Sequence, residues 1–188
     1  MFGSKDKKLS EQEIIDGCMA GKQRHQAALY EKYAPKMFAV CLRYASDYHS
    51  AEDILQDGFV KAFSYIVKYR GEGSFEGWLR RIFVNTAIEQ YRKNIAMYPI
   101  LDQQTEAPYV DDRTAQSLDV SDMMKIVQEL APGYRAIFNL YAIEGYNHRE
   151  IGEMLNISEG TSKSQLARAR YLLQQKIEQY KLAEEYHG

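Results

Sequence analysis

Apolar residues recur every three or four positions from about Glu11 to Lys93 and again from Ser121 to Ile177, and no stretch alternates with period two. That pattern admits helices and excludes strands, because a helix repeats its buried face every ~3.6 residues whereas a half-buried strand repeats it every second residue. Leu29, Tyr33, Met37, Cys41 and Tyr44 form one stripe, and Leu55, Phe59, Phe63 and Ile66 form a second. Phe75, Trp78, Leu79, Ile82, Phe83 and Ile88 form a third. Ser50-Ala-Glu-Asp53 reads as an N-cap opening the second of these helices, and Gly71-Glu-Gly73 ends the turn after it.

Between Asn94 and Val120 the periodicity lapses into Pro99, Pro108, Asp111-Asp112 and scattered polar residues. So long a structureless stretch is unusual inside one compact domain and reads as a linker. If flexible, it spans on the order of 28 Å. The expected fold is therefore all-α: two small helical domains, 11–94 and 121–181, joined by a flexible linker at 95–120. Ile126, Leu130, Ile137, Leu140 and Tyr141 place two helices in the second domain, divided at Ala131-Pro132-Gly133 with Pro132 as a first helical residue. Glu144-Gly145 stops the second of them. Two more helices follow, so the second domain is expected to have four.

Those last two carry the functional signal. Asn147-His148-Arg149-Glu150 has capping-box spacing, and the helix it opens runs through Ile151 and Leu155. Asn156-Ile157-Ser158 makes a short turn, and Ser158 is placed to cap a helix from Glu159 to about Tyr180. That helix faces inward with Leu166, Ala169, Leu173 and Ile177, and offers Thr161, Ser162, Lys163, Gln165 and Arg168 near its start. A helix-turn-helix that reads DNA needs these parts: a rigid turn that sets the angle, polar side chains for base edges, and cations for phosphates. An ordinary αα-hairpin with a solvated face is the plainer alternative. The tight turn, the two caps and the Lys163, Arg168, Arg170 row favour the DNA reader.

The bulk properties narrow the remaining classes. The net charge of −2 argues weakly against nucleic-acid binding. Between Ala96 and Lys125, however, Asp102, Glu106, Asp111, Asp112, Asp119 and Asp122 face only Arg113 and Lys125, and the flanking helical segments hold most of the cations. The cysteines, Cys18 and Cys41, have no C-x-x-C spacing and read as small buried residues. No apolar run reaches membrane-spanning length, and the lysine-rich N-terminus lacks the apolar stretch of a secretory signal. The chain is expected to stay in the cytoplasm without membrane insertion. His25, His49, His148 and His187 fall at no recurring catalytic or metal spacing, and no glycine-rich phosphate loop follows a strand. Neither an enzyme nor a metal or cofactor site is expected.

Glu150-Ile-Gly-Glu-Met-Leu-Asn-Ile-Ser-Glu-Gly-Thr-Ser-Lys-Ser164, followed by Arg168-Ala-Arg170, resembles the promoter −35-reading domain of bacterial sigma factors, and most closely that of the small extracytoplasmic-function (ECF) type. Ala51-Glu-Asp-Ile-Leu-Gln-Asp-Gly-Phe59 resembles that family's core-polymerase-binding helix. Gly73-Ser-Phe-Glu-Gly-Trp-Leu-Arg-Arg-Ile-Phe-Val-Asn85 with Tyr91-Arg-Lys93 resembles its −10-element segment. The three motifs stand in the family's order and cover about 21–92 and 121–177.

The resemblance implies a sigma factor that directs core RNA polymerase to promoters and starts transcription by −35 recognition and −10 melting. It implies that Asp53, Gln56 and Asp57 dock on a coiled-coil of the polymerase's largest subunit. Their i, i+3, i+4 spacing puts them on one helix face. It implies −10 contacts for Arg80, Arg81, Asn85, Arg92 and Lys93, with the Tyr69–Ser74 loop supplying a pocket for an unstacked base. Trp78 is either a stacking platform or part of the core, and its spacing with Phe75, Leu79 and Ile82 favours the core; Phe75 and Tyr91 are similarly open. It implies −35 contacts for Thr161, Ser162, Lys163, Gln165 and Arg168, and an anti-sigma factor as a further partner. Departures are mild: Ser162 and Gln165 stand where many relatives carry valine and arginine, and Gly152 replaces a more usual alanine. The competing function is a stand-alone helix-turn-helix regulator whose N-terminal domain senses or dimerises. Such a regulator has no need of the Asp53, Gln56, Asp57 face or the Trp78–Arg92 segment.

Overall fold

A computed structural model describes residues 9–97 and 120–187, and the described residues are helical with no strand. The order is α1 (Glu11–Met19), α2 (Gln23–Tyr44), α3 (Tyr48–Tyr65), a 3-10 turn (Ile66–Lys68), α4 (Phe75–Met97), α5 (Val120–Gln128), α6 (Pro132–Phe138) with a π-helical continuation (Asn139–Ile143), α7 (His148–Leu155) and α8 (Glu159–His187). The expected linker lies largely outside the described residues, although its two edges are helical, since α4 continues to Met97 and α5 begins at Val120. Two compact units are formed, one within 1–41 and 49–86, the other within 42–48 and 87–188. Ala87 and Ile88, in the later half of α4, are buried and fall in the second of these units.

In the first unit the three sequence stripes become one core. Leu29, Tyr33, Met37 and Cys41 are buried along α2, and Phe59, Phe75, Leu79 and Phe83 are buried on α3 and α4. Aromatic edges lock these helices: Phe59 meets Phe83 with ring centroids 5.1 Å apart at 78°, and Tyr33 meets Phe75 at 5.6 Å. Each such side chain taken from water stabilises the unit by roughly 1.5–3 kcal/mol. The Tyr33 hydroxyl donates to Glu11, which also pairs with Lys32 at 2.6 Å. Burial pushes the Tyr33 hydroxyl above its usual range, and the hydrogen bonds from Lys32 and Tyr33 hold Glu11 below its own. Both cysteines are buried and outside any disulfide, and burial raises the Cys18 thiol to about 11.

Two local signals went unused in the sequence. Ser10-Glu-Gln-Glu13 is a full capping box, with Ser10 Oγ accepting from Glu13 N at 3.2 Å and Glu13 accepting from Ser10 N at 2.8 Å. Ser74 Oγ accepts from Gly77 N at 3.1 Å and so starts α4. The helix expected to open at Ser50 instead opens two residues earlier, at Tyr48. Gly71 and Gly73 adopt φ of 74° and 82°, the left-handed values expected of the turn they were read to make.

In the second unit Ile126 and Val127 of α5, with Leu130 just beyond it, bury against Ala169, Leu173 and Ile177 of α8. Pro132 is the first residue of α6, where its missing N–H costs nothing. Arg135 is buried at 3% exposure and donates from Nη1 to the Gln128 carbonyl at 2.7 Å, so a cation closes the C-terminal end of α5. Nothing in the periodic pattern distinguished it from a surface arginine.

Gly58 lies where α3 crosses Phe83: a Cβ built there would stand 2.4 Å from the ring. Gly58→Ala is expected to lower the stability of the first unit by about 1–3 kcal/mol despite alanine's better helix propensity. Thermal or denaturant unfolding checks this, and an unchanged midpoint contradicts it.

Candidate nucleic-acid interface and docking face

The turn between α7 and α8 is built as the sequence suggested. Asn147 Oδ1 accepts from Glu150 N at 3.0 Å, and Glu150 accepts from Asn147 N at 2.8 Å, which is a reciprocal capping box. Asn156 closes α7 in the left-handed region (φ 57°, ψ 47°), a conformation asparagine tolerates better than most residues. Ile157 N then donates back to Gly152 O at 3.0 Å. Ser158 Oγ accepts from Thr161 N at 2.9 Å and starts α8. A Cβ on Gly152 would stand 2.8 Å from the Ile157 carbonyl oxygen, which belongs to the backbone and has little freedom to give way. The glycine is thus a close-approach residue, and the loss of helix propensity expected from sequence is not its main effect.

The five α8 residues expected to meet DNA divide by environment. Lys163 is exposed and pairs with Glu159 at 2.6 Å, one turn back. Thr161 is half-buried, with its Oγ1 2.8 Å from Ser158 Oγ. Arg168 is half-buried, with its guanidinium 5.2 Å from the Tyr171 ring. Gln165 is half-buried, and its amide oxygen would lie 3.8 Å from a Cβ placed on Gly133 of α6, so it sits on the α6 side of the helix. Ser162 differs from the others: it is fully buried, and its hydroxyl lies 3.0 Å from His148 Nδ1 on α7. Its spacing had already placed it on or beside the inward stripe, one turn before Leu166.

Other side chains reach the open side of these helices: Arg149 on α7, and Ser164, Ala167 and Arg170 on α8. Arg170 stands 5.7 Å over the Tyr141 ring, whose other neighbour is the His148 ring, stacked at 4.7 Å and 22°. Arg168 and Arg170 are thus each steadied by an aromatic face.

On α3, Asp53, Gln56 and Asp57 are all exposed, while Ile54, Leu55, Gly58 and Phe59 are buried behind them. On α4, Arg81, Asn85 and Arg92 are exposed and fall within a narrow arc at 3.6 residues per turn. Lys93 is exposed about a quarter turn to one side of that line, and Arg80 is half-buried about a third of a turn to the other. Phe75 is buried, so it belongs to the core. Trp78 is half-buried against Phe75 (5.3 Å) and Tyr69 (5.4 Å), and the Tyr69 hydroxyl donates to the Gly73 carbonyl at 3.0 Å. That trio ties the glycine loop to the first turn of α4. Among the described residues no cluster of three or more His, Cys, Asp or Glu is placed to hold a metal ion, and no helix is long and apolar enough to cross a membrane.

Two parts of one family match this chain: sigma-70 region 2 over residues 29–95 and sigma-70 region 4 over residues 121–173. The chain belongs to the sigma-70 family and is a sigma factor of the ECF type, a transcription initiation factor rather than a stand-alone regulator. It is 30% identical to the ECF RNA polymerase sigma factor SigE of Mycolicibacterium smegmatis, over 77% of this chain and 58% of that one. It is 28% identical to SigW of Bacillus subtilis (84% of this chain, 91% of that one) and 27% identical to the ECF sigma-E factor of Haemophilus influenzae (90% and 96%). Among solved structures it is similar to the sigma factor RpoE of Bartonella quintana, crystallised with the anti-sigma factor NepR, at 24% identity and a TM-score of 0.47, over 78% of this chain and 92% of that one.

Two predictions concern the turn. Partial burial, then the nearby Lys163 and Arg170, hold His148 below its usual value of 6.5, against the opposing pull of Glu159. A depressed folded-state value means that the unfolded chain binds the proton more readily, so stability present above pH 6.5 is lost as pH falls through the folded value. In an NMR titration the His148 ring should titrate below 6.5, and His148→Gln should remove that part of the acid-side destabilisation. A midpoint above 6.5 contradicts this. Gly152→Ala should give no net stabilisation of the second unit, and a rise in its unfolding temperature contradicts the close approach.

Proposed function

We propose that this sigma factor works through three surfaces, each assigned to residues above. The Asp53, Gln56, Asp57 face of α3 docks on a coiled-coil of the largest subunit of core RNA polymerase. Two carboxylates and an amide on one face suit a partner with basic residues opposite, setting register and partner choice rather than supplying most of the affinity. The stripe Arg81, Asn85, Arg92 with Lys93 faces the −10 element, where the cations hold the backbone of a strand whose base is drawn out of its stack. Arg80 acts from the side of that stripe.

The helix-turn-helix takes the −35 element. Lys163, Arg168, Arg149 and Arg170 neutralise phosphates, while Thr161, Ser164 and Gln165 line the approach to base edges. Domain limits of 11–94 and 121–181 suit these roles. The protein acts in the cytoplasm as a binding factor without chemistry of its own, and an anti-sigma factor holds it in reserve. What carries the proposal is the co-occurrence, in one chain, of a doubly capped helix-turn-helix and an exposed Asp53, Gln56, Asp57 face on a helix otherwise sunk in a core.

In reconstituted transcription, core polymerase alone should ignore a cognate promoter fragment, and adding this protein should start transcripts. Specific DNA binding by the protein alone, without transcripts, would count against it. Asp53→Arg should weaken binding to core by about tenfold or more while leaving the melting temperature unchanged. Unaltered co-purification with core overturns the α3 assignment.

A further inference from the structure

At 3.6 residues per turn, the residues of α8 that are not buried fall into three bands. Ser164 and Ala167 form the middle, with Thr161, Gln165 and Arg168 on one flank. Lys163 and Arg170 form the other flank, with Glu159 beside them inside about 40° of arc. A helix lying in a major groove meets base edges along its middle and backbone phosphates along its flanks. His148 of α7 joins the second flank. Its Nδ1 lies 3.0 Å from Ser162 Oγ, its ring stacks on Tyr141 at 4.7 Å, and Arg170 stands 5.7 Å over the same Tyr141 ring. Glu159, Lys163 and Arg170 all act on the imidazole electrostatically, and Arg149, the next residue on α7, acts on Glu159. With Nδ1 turned to the buried Ser162 hydroxyl, Nε2 is on the far edge of a half-buried ring. There it has no hydrogen-bond partner among the described residues, and it is not sealed from solvent.

We propose that His148 is a proton-linked phosphate ligand: Nε2, together with Lys163 and Arg170, takes one DNA backbone phosphate, and the helix-turn-helix takes up a proton at His148 as it binds. The inference rests on the −35 reading of α7 and α8 and deepens it. In the free protein, partial burial and then Lys163 and Arg170 disfavour an imidazolium, against the opposing pull of Glu159. A phosphodiester seated between these cations reverses the local potential, and Lys163 exchanges its bond to Glu159 for one to the phosphate. Glu150, the acid nearest on α7 itself, is occupied in the cap, accepting from Asn147 N at 2.8 Å. The proton comes from solvent. The imidazolium then carries N–H on both nitrogens, Nδ1 donating to Ser162 Oγ and Nε2 to the phosphate. A proton bound in the complex but not in the free protein makes affinity rise as pH falls between the two titration midpoints, and leaves it level outside them.

The test reconstitutes holoenzyme from the full-length protein and core polymerase and measures its Kd for a promoter fragment it transcribes, from about pH 6 to 8 at constant ionic strength. Parent, His148→Gln, Lys163→Ala and Arg170→Ala are compared. Glutamine keeps a donor and an acceptor for Ser162, so His148→Gln should fold. Groups on the polymerase titrate as well, so the quantity read is the difference between the parent and His148→Gln. If the phosphate raises the His148 midpoint by one pH unit, Kd changes by about tenfold. Across the range the Kd of the parent should rise about three- to tenfold more than that of His148→Gln, the two converging at the alkaline end. If Lys163→Ala and Arg170→Ala weaken binding while the parent and His148→Gln share one pH profile, the proton-linked ligand is overturned and the −35 surface stands. If His148→Gln weakens binding equally at every pH, the imidazole only positions the turn, and the proposal is likewise overturned. If neither Lys163→Ala nor Arg170→Ala weakens binding, the −35 reading of this flank falls with it.

Discussion

The geometry of the helix-turn-helix depends on the return of the chain from Asn156 to Gly152. Asn156 is the described non-glycine residue with positive φ, and its left-handed turn lets Ile157 N reach the Gly152 carbonyl while bringing its own carbonyl to where any side chain at 152 would sit. With the turn that tight, the Ser158 cap follows and α8 leaves in one direction only. The His148–Ser162 contact ties the two helices together on their inner sides. A buried hydroxyl with a partner is tolerated where an unpaired one would cost about 1–3 kcal/mol, so the departure from valine at 162 is matched by the imidazole opposite.

Much of this was legible in the residues. The stripes on α2, α3 and α4 predicted their buried faces because a helix that packs on one side must repeat its apolar residues at helical spacing, and Leu29, Tyr33, Met37 and Cys41 do so over three turns. The caps at Asn147 and Ser158 were readable because a capping interaction is local, set by a residue and its neighbour three positions on. The phase relative to Leu166 and Ala169 likewise placed Ser162 on or beside the inward stripe, although its neighbour Lys163 is similarly polar and open. What escaped was mostly long-range. Arg135 could not be told from a solvated arginine, because the carbonyl it closes belongs to a different helix. The start of α3 at Tyr48 was missed because Ser50 looked like a cap, while the chain was already helical two residues before it.

The surfaces left open differ in kind. On α8 the cations Lys163, Arg168 and Arg170 are few, and each is engaged by a neighbour: Glu159, the Tyr171 ring and the Tyr141 ring respectively. Each phosphate contact contributes a salt-dependent increment, and a handful of them gives only modest affinity at physiological salt. A net charge of −2 adds a general repulsion from DNA. A helix-turn-helix of this composition suits a protein whose promoter contacts are supplemented by another tether, which is the role the docking face of α3 has in the proposed function.

That arrangement also explains why α3 is an economical place for a partner to bind. Its buried side, from Ala51 through Ala62, is fixed by the core of the first unit, so its outward stripe is presented without loss of backbone freedom on binding. Phe59 and Phe83 hold the helix on one side, and Gly58 lets α4 approach until Phe83 fills the space a side chain would take. The same close packing that leaves no room for a methyl group at 58 fixes the orientation of Asp57 and Val60 on either side of it. Rigidity bought inside the core becomes specificity outside it, and a looser helix with the same surface residues would lose affinity to the entropy of ordering them.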